Sequence, residues 1–519
     1  MTGPSPVARR LFVASLLLFL LLSGGRIASS DGNTMFALSE RLLEGRLDIA
    51  PGWNGAIGRG GHFYAKADPG LAILALPWVV TGQLTAGLLP GGEGGLAAIW
   101  PRIVASTLNS LVAAAAVVLF HALLLALGYR RRTALVLAIA LAVSTPLLPY
   151  SKSFMREPAL MLAMLGAALE AVRGRWARSG LWLGAGMLVK ATLVVEAPLL
   201  AVYLLLRSGR PRRPVAAGRA LAALAAAPFA AGLLLLLYNW LRFESFTRTG
   251  YDPTVDTFST PLLVGLYGQL LSSGKSLFLY APVGIAALWG YTRLWRRDRA
   301  MTWLTASILV ANLLLHARFA SWAGEGSWGP RYLVPFLPWF ILPAAELLDG
   351  AGRAAHRAVH ALLVLGIVVQ LGGSAIYFGS YMRELGEYPY QRDFSDPLFM
   401  VRSHFVPNDS PLVGHWRLLV RNLRLLAGPD RPALGLQTDA PGRLPVAEQD
   451  RDKLRYVVDY WFCYGLYAGV PAPLVLGPAL LLLGLTAAAG LALARAARRE
   501  EQQPAADHRA TRETGRNDV

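Results

Sequence analysis

Apolar runs long enough to cross a hydrocarbon core of about 30 Å recur along almost the whole chain, divided by short clusters of arginine. They predict spans near 11–28, 99–127, 133–149, 158–172, 215–237, 277–292, 301–317, 331–348, 359–380 and 466–493. The clusters YRRR (129–132), RGRWAR (173–178), RSGRPRR (207–213), RLWRRDR (293–299), GRAAHR (352–357) and RAARR (495–499) read as cytoplasmic loops, because cationic loops stay on that side. Both termini are then expected in the cytoplasm. The first run reads as a retained span, with a cleaved signal peptide as the alternative.

Two stretches resist this alternation. Residues 180–206 join two basic loops, yet 27 residues cannot cross a membrane twice at 1.5 Å per residue. They suit two half-helices meeting near Lys190, buried in protein. Residues 71–89 are apolar, but no basic cluster follows them, so they are expected as a helix on the outer surface. Before them, Met35, Phe36, Leu38, Leu42 and Leu43 make one face of an amphipathic helix, with Ser30 or Asp31 as its N-cap.

The expected fold is therefore all-α and polytopic, a bundle of about 10–13 transmembrane or re-entrant helices with outer juxtamembrane helices. It divides into a transmembrane region over 1–380 with a first outer loop at 29–98, and an outer loop region over 381–465. A last span at 466–493 and a disordered cytoplasmic tail at 494–519 follow.

Composition agrees: 54% of residues are hydrophobic and only 16% charged, below the quarter or so usual in soluble domains. The net charge of +18 would suggest nucleic acid in a soluble protein, but here the loops that carry it make it an orientation signal. A single cysteine, Cys463, excludes an internal disulfide. No Walker loop, nucleophile elbow or metal-ligand spacing is present.

Charge changes the picture once more. The chain has five lysines, Lys66, Lys152, Lys190, Lys275 and Lys453, and all fall outside or within the membrane, where Arg156, Arg248, Arg318 and Arg331 join them. Cations there oppose the positive-inside bias and need a partner. Snorkelling at helix ends accounts for single cases. For a set gathered in loops with Trp, Tyr and Gly, a lipid phosphate at head-group depth is the simplest partner. Asp31, at the lipid–water boundary, suits a base that takes a proton from an attacking hydroxyl, unless it merely caps its helix. Glu157, in YSKSFMREP, is a second candidate, or a local salt-bridge partner of Arg156 or Lys152.

The segments SSDG, HFYAKADPGLAILALP, YSKSFMREP, YNWLRFESFTRTGY, SSGKSLFLYAP and SWGPRYLVPFLP occur in this order between about residues 9 and 350. On them the chain resembles the GT-C class of membrane glycosyltransferases, notably the phospholipid-carrier-dependent bacterial enzymes related to protein O-mannosyltransferases and lipid A aminoarabinose transferases. The resemblance implies a transferase that uses a polyprenyl-monophosphate sugar at the outer face of a bacterial plasma membrane. It implies Asp31 as base, although many relatives carry two adjacent acids where this chain has Asp31-Gly32, which keeps Glu157 in view. It implies Lys66 as a contact to the carrier phosphate, with Arg248 and Arg331 as further contacts. Tyr64, Lys152, Arg156, Tyr251, Lys275, Trp328 and Tyr332 complete the expected substrate-binding set. Some members use a divalent metal; the residues themselves call for none. Lipids, proteins and polysaccharides are all open as acceptors, membrane lipids surround the protein, and no nucleic-acid partner is expected. A multi-span secondary transporter and a polyprenyl-diphosphate-dependent ligase are the rival readings.

Overall fold

The computed structural model describes residues 5–52, 54–89, 96–208, 214–350, 352–390, 392, 396, 398–435 and 448–514. Helices make up most of it, as the apolar runs require. In chain order they are α1 (Pro6–Leu21), α2 (Ser30–Leu43), α3 (Gly70–Ala86), α4 (Leu96–Ser106), α5 (Leu108–Ala126), α6 (Arg131–Val143), α7 (Leu147–Tyr150) and α8 (Glu157–Val172). Next come α9 (Trp176–Val189), α10 (Glu196–Ser208), α11 (Pro214–Phe243), α12 (Leu262–Leu271), α13 (Leu277–Tyr280), α14 (Val283–Arg297) and α15 (Arg299–Arg318). A helix broken by 3-10 turns follows over Arg331–Gly350, then longer ones at Arg353–Ala375, Pro411–Ala427 and Ala472–Thr514. Among the described residues the only sheet is a hairpin of β1 (Gly55–Ile57) and β2 (Phe63–Ala65), in antiparallel register Gly55–Ala65.

Among the described residues, six helices are long and apolar enough to cross a membrane: Leu96–Ala126, Val215–Phe243, Arg299–Arg318, Arg331–Gly350, Arg353–Ala375 and Ala472–Gln502. The other expected spans are the shorter helices α1, α6, α8 and α14, of 13 to 16 residues. The apolar stretch at 71–89 is α3, packed between α2 and α4. The final helix runs on to Thr514, past the expected start of a tail at 494; the stretch after 493 is rich in Ala, Arg, Glu and Gln, all strong helix formers, and Arg131 pairs with Glu500 at 3.6 Å.

Three local features place the site. The first is the start of α2. The cap is Ser29, one residue before those expected: its extended backbone lets Oγ accept the Gly32 N–H at 3.0 Å. Asp31 is thereby released from capping. Gly32 presses on the turn before α8, where a Cβ would stand 2.7 Å from the Phe154 carbonyl oxygen. The first turn of α2 thus lies against the residues leading into Arg156 and Glu157.

The second is the break expected near Lys190. Here α9 ends, Lys190 is extended, and a 3-10 turn at Ala191–Val195 leads into α10. Asp68 accepts the Ala191 N–H at 2.8 Å, so the glycine-framed polar patch at 59–70 seals one of the groups the break exposes.

The third is the docking of the region over 381–465. Its small core gathers Leu434, Leu454, Val457, Val458, Cys463 and Tyr467. It joins the bundle through Asp459, which pairs with Arg26 at 2.9 Å and Lys152 at 2.8 Å, all three buried. Arg26 lies between the rings of Tyr377 and Tyr464, 4.8 Å from each centroid. Removing one carboxylate strands two buried cations. Asp459→Asn is therefore expected to destabilise the fold by about 3–5 kcal/mol, read as a lower Tm in detergent.

Candidate active site

The N-terminal ends of α2, α8 and the Arg331–Gly350 helix bring three charged side chains together. Arg331 sits between two carboxylates: its Nη2 donates to Asp31 Oδ2, and its Nε donates to Glu157 Oε1 at 2.7 Å. The fork shape of the guanidinium explains why an arginine stands here, since it meets both acids with separate N–H groups. Glu157 is buried, Arg331 nearly so, and the Asp31 side chain keeps 21% exposure, so Asp31 is the acid a substrate can reach.

Further cations surround this pair. Arg156 Nη2 meets the Tyr251 hydroxyl at 3.5 Å, and Lys66 Nζ stands 5.0 Å from the centroid of the same Tyr251 ring. Lys66 is 3.9 Å from Asp256, too far for a hydrogen bond, and retains 23% exposure. Lys190 Nζ lies over the Tyr332 ring at 4.7 Å, and Tyr332 stacks on His316. Glu157, Lys190, His316 and Tyr332 line one small cavity, which explains why the chain breaks at Lys190: the break turns its ammonium inward.

The acids do not behave alike. Burial alone would raise the Asp31 carboxyl, but the guanidiniums of Arg331 and Arg156, with Lys66 behind them, hold it well below the usual carboxylate range. Burial raises Asp68 despite Arg156, and burial followed by the charge of Asp31 raises Glu325. Environments that drive neighbouring carboxyls apart are those that separate acid and base roles. Asp31 is the acid kept ionised.

Asp31, Lys66, Arg156, Glu157, Tyr251, Arg331 and Tyr332 therefore meet in one cluster, as expected of one site. The others do not join it. Tyr64 is buried in β2, its hydroxyl bonded to the Arg59 carbonyl and its ring edge-on to Phe243. Arg248 donates to the Ile57 carbonyl at 3.1 Å and supports the hairpin. Trp328 donates to Gln370 at 3.0 Å inside the bundle. Lys152 is taken up by Asp459, and Lys275 clamps a loop by donating to the carbonyls of Glu325 at 3.0 Å and Ser327 at 2.7 Å. Both lysines were expected at the phosphate; burial and full donor sets engage them elsewhere.

Sequence reading missed Glu325 as a site residue. It lies within electrostatic reach of Asp31, Arg331 and Lys66, in the segment Gly324-Glu325-Gly326. Both Gly324 and Glu325 have left-handed backbones, with φ of 68° and 55°. For a glutamate that conformation costs roughly 1–2 kcal/mol. The signal was present: an acid held between glycines in a loop.

No family model and no curated protein matches the chain. Among solved structures it is similar to ArnT from Cupriavidus metallidurans bound to undecaprenyl phosphate, at 13% identity over 86% of this chain and 84% of that one, with a TM-score of 0.45. That likeness carries no argument about function, which has to come from the site.

A divalent metal does not fit the cluster. The two acids that would hold it already grip Arg331 between them, and among the described residues no group of three or more His, Cys, Asp or Glu could bind an ion.

Proposed function

We propose that this protein is a membrane glycosyltransferase. It moves a sugar from a polyprenyl-monophosphate donor to an acceptor hydroxyl at the outer face of a bacterial plasma membrane, inverting the anomeric carbon. The observation that carries this reading is a partly exposed Asp31 paired with Arg331 and held in its ionised form, with Lys66 and Arg156 close by. A base for a hydroxyl and cations for a phosphate stand within one cluster, as the reaction needs.

The carrier phosphate docks on Lys66 and Arg156, whose N–H groups supply charge and donors, with the isoprenoid along the lipid-facing helices. The acceptor oxygen attacks the anomeric carbon from the face opposite the phosphate. The bond from that carbon to the phosphate oxygen breaks, the acceptor proton passes to Asp31, and the negative charge settles on the leaving phosphate beside its cations. A phosphate carries that charge well, so the leaving group needs no strong acid. The incoming phosphate also offsets the cations that hold Asp31 so acidic, so donor binding makes Asp31 a better base.

Membranes that contain the protein, given radiolabelled polyprenyl-monophosphate sugars, should transfer label to an endogenous acceptor without a proton or sodium gradient. Solute uptake driven by a gradient, with no transfer, would support a transporter instead. Within this scheme Lys66→Ala should raise the donor KM about 10–100-fold, the worth of one charge-assisted hydrogen bond. An unchanged donor KM would remove Lys66 from the phosphate site.

A further inference from the structure

Beside the ion cluster lies a second cavity, of about 230 Å³, which the mechanism above does not use. Its walls come from the loop before α12, from residues 320–325 and from Asp396, Phe399, His404 and Phe405. Glu325 belongs to both places: it lines this cavity and reaches Asp31, Arg331 and Lys66 through their charges. The loop that holds it is fixed from behind by Lys275, and Gly324 packs so closely on Arg331 that a Cβ would stand 2.7 Å from that residue's own Cβ. The cavity and the cluster are thus two sides of one rigid loop.

The lining has a definite chemistry. Trp322 and Phe405 form an aromatic corner, with ring centroids 5.8 Å apart, and His404 stands edge-on to Trp322 at 5.6 Å. Gly268 allows the indole to lie there, since a Cβ would meet its ring at 2.1 Å. The polar edge is Ser259, Thr260, Ser321 and the Glu325 carboxylate, which accepts from the Ser321 hydroxyl at 2.9 Å. His404 is 2% exposed, and its Nε2 is buried without a hydrogen-bond partner among the described residues. A buried polar atom in that state marks a place where a ligand or water bonds. Among the described lining residues there are two carboxylates, Glu325 and Asp396, and no Lys or Arg; Asp396 is already paired with Arg392 at 2.8 Å, so Glu325 sets the charge.

We infer that this cavity is the acceptor subsite and that it takes a neutral carbohydrate. The inference rests on the transferase reading and narrows its acceptor. Flat aromatic faces suit the C–H side of a sugar ring, while hydroxyls, an imidazole nitrogen and a carboxylate suit its hydroxyl groups. A phosphate-bearing acceptor would bring its charge against Glu325 with no cation in the lining, and like charges in a closed site repel strongly. Glu325 accepts a hydrogen bond from a ring hydroxyl and so turns another hydroxyl of the same sugar toward Asp31. It is a positioning residue, and Asp31 remains the base.

Two measurements on the full-length protein in detergent test this. In saturation-transfer NMR, a panel of neutral methyl glycosides and linear trisaccharides should include a binder, and glucose 6-phosphate should bind at least about tenfold more weakly than that binder. Trp322→Ala should weaken the binder about tenfold or more, and Glu325→Gln should weaken it less while restoring some affinity for the sugar phosphate. In the transfer assay both variants should raise the acceptor KM, and Trp322→Ala should leave the donor KM where it was. Binding of no panel member, preference for the phosphate, or no effect of Trp322→Ala on binding overturns the subsite. Sugar binding that depends on Trp322, without any transfer from a polyprenyl donor, would leave the cavity assigned and refute the transferase reading alone.

Discussion

Asp31→Asn is expected to lower turnover about a hundred- to ten-thousand-fold while the donor still binds, because general-base assistance is worth that much and the asparagine retains the shape. The variant loses a proton acceptor without losing Arg331, Lys66 or Arg156, so donor affinity should hold or rise slightly as a negative charge leaves the phosphate site. Glu157→Gln is the control for the other acid. Glu157 is buried beneath Arg331 and its exposure is too small for an acceptor to touch it, so its loss should act through the placement of Arg331. Full turnover in Asp31→Asn, with a dead Glu157→Gln, would transfer the role of base to Glu157. The pH profile adds a second check. The folded carboxyl of Asp31 is depressed, so the active carboxylate is present above that low value and is lost only as pH falls through it. The acid limb of kcat/KM should therefore lie below the usual carboxylate range, and the limb of kcat should lie higher, since bound phosphate offsets the cations.

Changing Arg331 should have the next largest effect, on activity and on stability together. Arg331→Lys keeps the charge but cannot direct separate N–H groups at Asp31 and Glu157, so kcat/KM should fall about a hundred- to a thousandfold. Arg331→Met leaves two carboxylates in a largely buried place with no cation between them, which should cost about 3–5 kcal/mol of stability. In Arg331→Met, Asp31 loses the guanidinium that does most to depress it, so the acid limb of kcat/KM should move up toward the ordinary carboxylate range. A variant that lost stability but kept both its rate and its acid limb would make Arg331 a purely structural tie between the helices.

Much of the fold was legible because a bilayer imposes a simple rule on sequence. Apolar runs must be long, their ends must carry the right charges, and a run of 27 residues between two basic loops has to break. The break at Lys190 follows from that rule, and the amphipathic helix at 30–43 from its own apolar face. Local chemistry was legible in part. The cap of α2 fell one residue earlier than expected because Ser and Asp residues stand side by side at 29–31, and propensity does not choose among them; the contact of Gly32 with Phe154 does.

Pairing between distant loops was not legible. Arg331 is 300 residues from Asp31 and 174 from Glu157, and nothing within either segment records which acid the guanidinium meets. The five lysines looked equivalent on the charge map, yet packing directs Lys152 to Asp459 and Lys275 to two carbonyls, and leaves Lys66 and Lys190 around Tyr251 and Tyr332. By itself, then, the sequence determined a helical membrane protein with cations and acids gathered in the loops between its helices, because hydropathy and loop charge are properties of single segments. Only the tertiary structure decided which of those charges neutralise one another and which face a cavity, because that depends on distances between helix ends that no single segment contains.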